Sequence, residues 1–216
     1  MKDPIKSDSQ PFFSVIITTY NRAHLITRAI KSLILQTEKD WEAIIVDDES
    51  EDDTEFHVLP FTRIYRNISF FRQAHAGEAA AKNTGLQSAK GRYVTFLDSD
   101  DEYDNQHLET RKAVLVENPS LKFLYGGTEI IGNQFVPDRF NTNEKIDLKD
   151  CVIGGTFFID RKLFLSLSGF RNISLGTDAD LFDRVKKSGV IMKEISKPTY
   201  IYHHETEDSI TNKLMH

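Results

Sequence analysis

The chain has 216 residues, 39% of them hydrophobic and 28% charged, with a formal net charge of −6. That length forms one large domain or two small ones and buries a substantial core. The acidic balance argues against a nucleic-acid binder, which needs a basic face, but leaves room for a phosphate-bearing ligand whose charge a divalent metal offsets.

Residues 1–11 are polar and read as a loose tail. They hold no apolar stretch of signal-peptide length, and no later run approaches the roughly 18 residues that cross a bilayer. A cytoplasmic protein is expected, with peripheral contact at the inner membrane face left open. Residues 12–216 read as a single domain. "FFSVIITTY" is an apolar, β-branched run, hence a buried strand. "AHLITRAIKSLILQ" spaces Leu25, Ile26, Ala29, Ile30, Leu33 and Ile34 as a helix does. "WEAIIVDD" is a second strand, and "SEDDTEFHVL" opens a helix with Ser50 as N-cap. "RIYRN" is expected as a third strand, "GEAAAKNTGLQSA" as a helix and "RYVTFLD" as the next strand. This alternation is the grammar of a mostly parallel α/β sheet with helices on both faces.

After Asp104, itself a candidate cap, a helix is expected from His107 to Val116, ending before Pro119. "LKFLYGGTEIIGNQFVP" suggests a hairpin about Gly132-Asn133. Cys151, the only cysteine, excludes an internal disulfide, fits a reducing compartment and reads as a small buried side chain. "GGTFFIDRKLFLSLSGF" reads as strand, short helix and stop at Gly169. "DADLFDRVKKSG" is a helix ending at Gly189, and "VIMKEISKPTYIYHH" a final extended segment. Phe140, Phe157 and Phe158 either line a ligand surface on the second half or belong to the core, the favoured reading, and His75 and His107 are assigned to surface or core.

Ligands of parallel sheets gather at the carboxyl ends of the strands. Three polar groups fall there: Thr18 to Arg22, Asp47 with Asp48, and Asp98, Asp100 and Asp101. One aspartate at a strand end is commonly a helix cap, but three within four residues repel one another unless a cation joins them. Hard oxygen ligands suit Mg²⁺ or Mn²⁺, which leave places for water and phosphate oxygens, so a diphosphate is the expected cargo.

"FFSVIITTYNRAHLITRAIKSLILQT", "WEAIIVDDESEDDT", "AGEAAAKNTGLQSAKGRYVTFLDSDD" and "GGTFFIDRKLF…GF" follow one another at a spacing that resembles glycosyltransferase family 2. The resemblance runs from about Phe12 to near Ser209. It implies a GT-A fold: a Rossmann-like, mostly parallel central sheet flanked by helices. A nucleotide-sugar half, about 12–104, would precede a smaller acceptor-side half, about 105–216. It implies an inverting, metal-dependent enzyme of bacterial polysaccharide or cell-envelope synthesis. The donor would be a nucleotide-diphosphate sugar, by resemblance a UDP-sugar, and the acceptor a glycan or lipid-linked hydroxyl. Thr18, Tyr20, Arg22 and Asp48 match nucleotide positions, with Glu49 standing where the family has glycine. Lys82 replaces the arginine of a nucleotide-side motif, and Asn83 and Gly85 read as structural. "DSDD" matches the DxD motif, with Asp98 and Asp100 serving ribose and metal and Asp101 a further metal ligand. Which aspartate touches the ion stays open.

An inverting transfer needs a base for the acceptor hydroxyl. The resemblance places it in "LGTDADLFDRV", where Thr177 replaces the family's glutamate; Asp178 is the candidate and Asp180 the runner-up. From the local sequence alone the favoured reading is that Thr177 or Asp178 caps the helix, with Asp180 at its positive end. His203 and His204 are neighbours on an extended segment, so at most one faces the site, and His204 is the expected metal ligand. Two other readings remain. A nucleotidyltransferase would need a Gly-rich basic loop after the first strand, which "TTYNRAHL" lacks. A non-catalytic binding domain of the same fold would not need the aspartates. The sequence does not reveal donor sugar, acceptor, linkage or oligomeric state.

Overall fold

A computed structural model describes residues 10–141 and 143–205, so most of the expected tail lies outside the described residues. In chain order the elements are β1 (Phe13–Thr19), α1 (Ile26–Ile34), β2 (Trp41–Asp47), α2 (Thr54–Ile64), β3 (Ile68–Arg72), α3 (Glu78–Ser88) and β4 (Tyr93–Phe96). Then come β5 (Glu102–Tyr103), α4 (His107–Glu117), β6 (Phe123–Tyr125), β7 (Thr128–Gly132), β8 (Phe135–Pro137) and β9 (Lys145–Asp147). The chain continues with β10 (Phe158–Asp160), α5 (Arg161–Ser166), α6 (Thr177–Lys187), β11 (Met192–Glu194) and β12 (Tyr200–His204).

The main sheet has seven strands in the order β11-β6-β10-β4-β1-β2-β3. β4, β1, β2 and β3 run parallel, and β10 runs antiparallel between β4 and β6. β1 and β2 are near-continuous apolar runs because helices cover both faces of the sheet. Phe13, Val15 and Ile17 pack with Ile30 and Leu33 of α1 on one side. Ile16, Ile44 and Val46 meet Ala79 and Ala81 of α3 on the other. This is the expected α/β architecture of GT-A type, a mostly parallel sheet with a smaller second part. A three-stranded sheet, β5-β12-β7, and the β8–β9 ribbon extend one end. Among the described residues no helix is long and apolar enough to cross a membrane.

Several local expectations are corrected. Ser50 does not cap α2, which starts at Thr54; its hydroxyl instead binds Asp47 and accepts the Asn21 amide. "RIYRN" is the end of α2 and the turn after it, because the helix runs on through Pro60. The third strand begins at Ile68, where apolar residues find β2. No hairpin forms about Gly132-Asn133: β7 pairs with β12 and β8 with β9. Gly132, at φ +97°, turns the chain out of the first partnership and into the second. Helix α6 is capped by Gly176 at φ +78°, not by Thr177 or Asp178. Phe157 and Phe158 are core as expected, whereas Phe140 is 83% exposed.

Candidate active site

The carboxyl ends of β1, β2 and β4 open into a cleft of about 900 Å³, the scale of a small-ligand site. Thr18, Tyr20 and Arg22 line it after β1, Asp48 after β2, and Asp98 and Asp100 after β4. The far wall comes from α6, the segment before it, and the β8–β9 ribbon.

At the β1–β2 end, Tyr20 is 44% exposed and its ring centre lies 4.5 Å from that of His75. Asp48 is buried and organises the β3–α3 loop. Its Oδ1 accepts from Gln73 Nε2 at 2.7 Å and the Ala76 amide at 3.0 Å, its Oδ2 from the Gly77 amide at 2.8 Å. His75 Nδ1 sits 3.0 Å from the same Oδ2. Glu49 takes φ +70°, the left-handed turn that glycine fills without strain, and its carboxylate accepts the His75 amide at 2.9 Å. A non-glycine residue holds this turn at a conformational cost that the bond to His75 offsets.

Three aspartates after β4 have three different surroundings. Asp100 faces the cleft, and its carbonyl accepts from the Arg28 guanidinium. Asp98 also lines the cleft, and its Oδ1 lies 3.3 Å from Lys82 Nζ. Burial raises the Asp98 pKa; Lys82 opposes the rise, neighbouring acids add to it, and it ends at about 6. Asp101 is turned inward. Tyr200 Oη donates to its Oδ2 at 2.6 Å and the His203 amide to its Oδ1 at 2.8 Å. Burial pushes the Asp101 carboxyl well above the usual range. Both Asp101 oxygens tie β12 to the β4 loop, and Asp101, expected as a metal ligand, is not among the residues that line the cleft. His204, expected as a metal ligand, is buried with Nδ1 donating to the Asn133 carbonyl at 2.7 Å. His203 lines the cleft wall, its Nε2 2.9 Å from Glu102 Oε1.

Lys82 does not line the cleft. It lies beneath it, 3% exposed, with Glu78 at 2.5 Å and the Phe96 and Phe170 ring centres at 5.6 and 5.3 Å. Burial pulls its pKa down, but Asp98, Glu78 and Asp178 outweigh that and hold the ammonium charged. Gly85 does not end a helix; it lets α3 approach β1, where a Cβ would meet Ile16.

Asp178, in the first turn of α6, reaches the cleft opposite these groups. Its Oδ2 accepts the Gly154 amide at 3.0 Å; its Oδ1 is buried and has no hydrogen-bond partner among the described residues. Burial raises its pKa, against the pull of Lys82 and with repulsion from Glu78. Asp180, the alternative base, is held by Arg184 Nε at 2.7 Å and Arg171 Nη1 at 3.2 Å. His75, Arg139 and Phe140 also line the cleft, and Tyr200 braces it from below. The strand-end rule, extended to the loop after β3, would have found His75. Cys151 is half-buried on the cleft wall and not in the core.

Metal chemistry can be tested against this donor set. Among the described residues no three acidic, histidine or cysteine side chains converge on a point that could hold an ion. Asp98 and Asp100 both line the cleft, and an ion held by only two carboxylates would keep several waters and share substrate phosphate oxygens, as Mg²⁺ does.

Residues 14–164 match the model of Glycosyl transferase family 2. The chain is 38% identical over 156 residues to Escherichia coli UDP-Glc:alpha-D-GlcNAc-diphosphoundecaprenol beta-1,3-glucosyltransferase WfgD, covering 69% of this chain but only 60% of that protein. It is 32% identical over 214 residues to the Campylobacter jejuni GalNAc(5)-diNAcBac-PP-undecaprenol beta-1,3-glucosyltransferase, covering 93% of this chain and 67% of that one. Among solved structures, S. aureus TarS in complex with UDP-GlcNAc shares the fold, with a TM-score of 0.74 at 22% identity over 92% of this chain and 60% of that one. The Pyrobaculum calidifontis mannosyltransferase PcManGT, in complex with GDP-Man and Mn²⁺, does so with a TM-score of 0.72 at 18% identity, over 90% of this chain and 57% of that one. With a family model spanning most of its length and a relative aligned along nearly all of it, the chain belongs to glycosyl transferase family 2.

Proposed function

We propose that the chain is an inverting, metal-dependent glycosyltransferase that moves a sugar from a UDP-sugar to a hydroxyl of a lipid-linked glycan. The observation that carries this reading is Asp178. It is a carboxylate of raised pKa, one oxygen of which is buried with no hydrogen-bond partner among the described residues, on the wall of the ligand-sized cleft that Asp98 and Asp100 also line. UDP-glucose is the first donor to try, because both bacterial relatives are named as beta-1,3-glucosyltransferases of diphosphoundecaprenol-linked sugars.

The roles follow from position. Tyr20 and His75 offer faces for the base, Asp48 holds the loop beneath them, and Thr18 and Arg22 border the phosphates. The Asp178 carboxylate takes the proton of the acceptor hydroxyl while that oxygen bonds to the anomeric carbon. The bond from that carbon to the diphosphate breaks on the opposite face, and the nucleoside diphosphate leaves with its electron pair. A divalent ion, held by Asp100 with Asp98 beside it, would supply the counter-charge to that diphosphate.

The test is transfer from UDP-glucose to a synthetic GlcNAc-diphospholipid with Mn²⁺. Asp178→Asn should bind UDP as before and lose transfer by about 10²- to 10⁴-fold, the usual weight of a general base. Undiminished transfer would remove Asp178 from the role. In calorimetry, Asp100→Ala should weaken Mn²⁺-dependent UDP binding; equal UDP affinity with and without Mn²⁺ would remove the metal.

A further inference from the structure

The part of the cleft beyond Asp178 has an unusual rim. Phe140 lines it, yet its ring is 83% exposed. Exposure alone is ordinary for a surface aromatic; what sets Phe140 apart is that it stands on the cleft rim, on a backbone turn that holds it there. The backbone there is held firmly. Asp138 Oδ1 accepts the Phe140 amide at 2.7 Å and the Asn141 amide at 3.0 Å, and Asn141 Nδ2 donates to Glu144 at 2.9 Å. Arg139 lies over the ring at 4.5 Å and is itself anchored by Asp183 at 3.1 Å and packed against Gly176. An aromatic face is thus presented to the cleft by a turn built to hold it.

Charge narrows what can lie on that face. Asp138, Asp150, Asp178 and Asp183 line this end, against the single guanidinium of Arg139, already paired with Asp183. An anionic group would be repelled here, whereas the C–H face of a neutral pyranose stacks on an aromatic ring. We propose that Phe140 is the acceptor platform: its ring carries the neutral terminal sugar whose hydroxyl is presented to Asp178, with any diphosphate of the acceptor held outside the cleft. This rests on the transferase reading and adds to it the class of acceptor, a neutral glycoside and not a uronate.

Binding tests it without any need for turnover. Trp41, the only tryptophan, is buried at the start of β2, the end of the strand away from the cleft, so Phe140→Trp adds a distinct reporter. With UDP and Mn²⁺ present, F140W fluorescence should change saturably on titration with at least one of a panel of neutral methyl pyranosides. Methyl glucuronide should give no change, and neither should the unaltered protein. No saturable change with any neutral sugar, or an equal response to the uronate, overturns the proposal. In the transfer assay, F140A should raise acceptor KM about three- to tenfold with donor KM unchanged, and F140Y should restore it. An unchanged acceptor KM in an active F140A protein overturns the platform alone. Absence of all transfer with F140W binding intact would instead count against the transferase reading.

Discussion

Gly154 and Asp178 show how tightly single residues define the site. A Cβ at position 154 would sit on the Asp178 carboxyl group, so only glycine leaves the amide free to hold it. The obstacle is the end of a side chain, which can swing away. Gly154→Ala should therefore fold with a near-normal Tm, yet lose about 10²-fold in kcat, as misplacement by an ångström typically costs; UDP affinity should hold. Asp98 makes a different point. Its folded pKa of about 6 lies above the ordinary 3.8. Between those values the folded chain keeps a proton that the unfolded chain has released, so this group makes stability fall as pH rises from about 4 to about 6. Above that its penalty is complete. Asp98→Asn should flatten this part of the Tm-versus-pH curve and raise the Tm near neutrality, while weakening nucleotide binding. Parallel curves for the two proteins would show that another group titrates. A site carboxylate that destabilises the empty protein is the usual trade of stability for function.

At the scale of elements, β12 decides which aspartates face the cleft. Tyr200 Oη and the His203 amide hold Asp101 inward, and its neighbours Asp98 and Asp100 are thereby turned out. Tyr200→Phe removes a buried bond to a carboxyl group and should cost about 1–3 kcal/mol. UDP affinity should fall with it, since the loop loses its brace; a Tm loss with unchanged UDP affinity would confine Tyr200 to stability. This dependence also explains what was legible in the chain. β1, β2 and β4 could be read because buried parallel strands are continuous apolar runs, and α1, α3, α4 and α6 because their patterns or boundaries are local. β5, β7, β8 and β12 could not be paired, since two- to five-residue strands are chosen by their partners across the fold. The strand-end rule found Thr18, Tyr20, Asp48, Asp98 and Asp100. It could not separate Asp101 from Asp100, or His203 from His204, because neither choice is made locally.

Over the whole molecule, the first and second halves of the chain are not separate bodies. β10, from the second half, lies in the main sheet against β4, and Phe158 and Tyr200 share one core with Phe13 and Trp41. Asp178 and the aspartates Asp98 and Asp100 come from opposite halves, so the cleft exists only while this joint holds. Asn83 on α3 clasps it directly: Oδ1 accepts the Phe170 amide at 2.8 Å and Nδ2 donates to the Phe170 carbonyl at 2.9 Å. The turn at Gly169, φ +67°, brings that backbone so close that a Cβ would meet Asn83 Oδ1. Replacing Asn83 with alanine leaves both backbone groups unpaired, at about 2 kcal/mol, or about 5 °C in Tm for a chain of this size. Calorimetry should show one transition in both proteins, shifted but not divided, because the shared core still joins the halves. Two resolved transitions in Asn83→Ala would mean that the clasp, and not the core, makes the molecule cooperative.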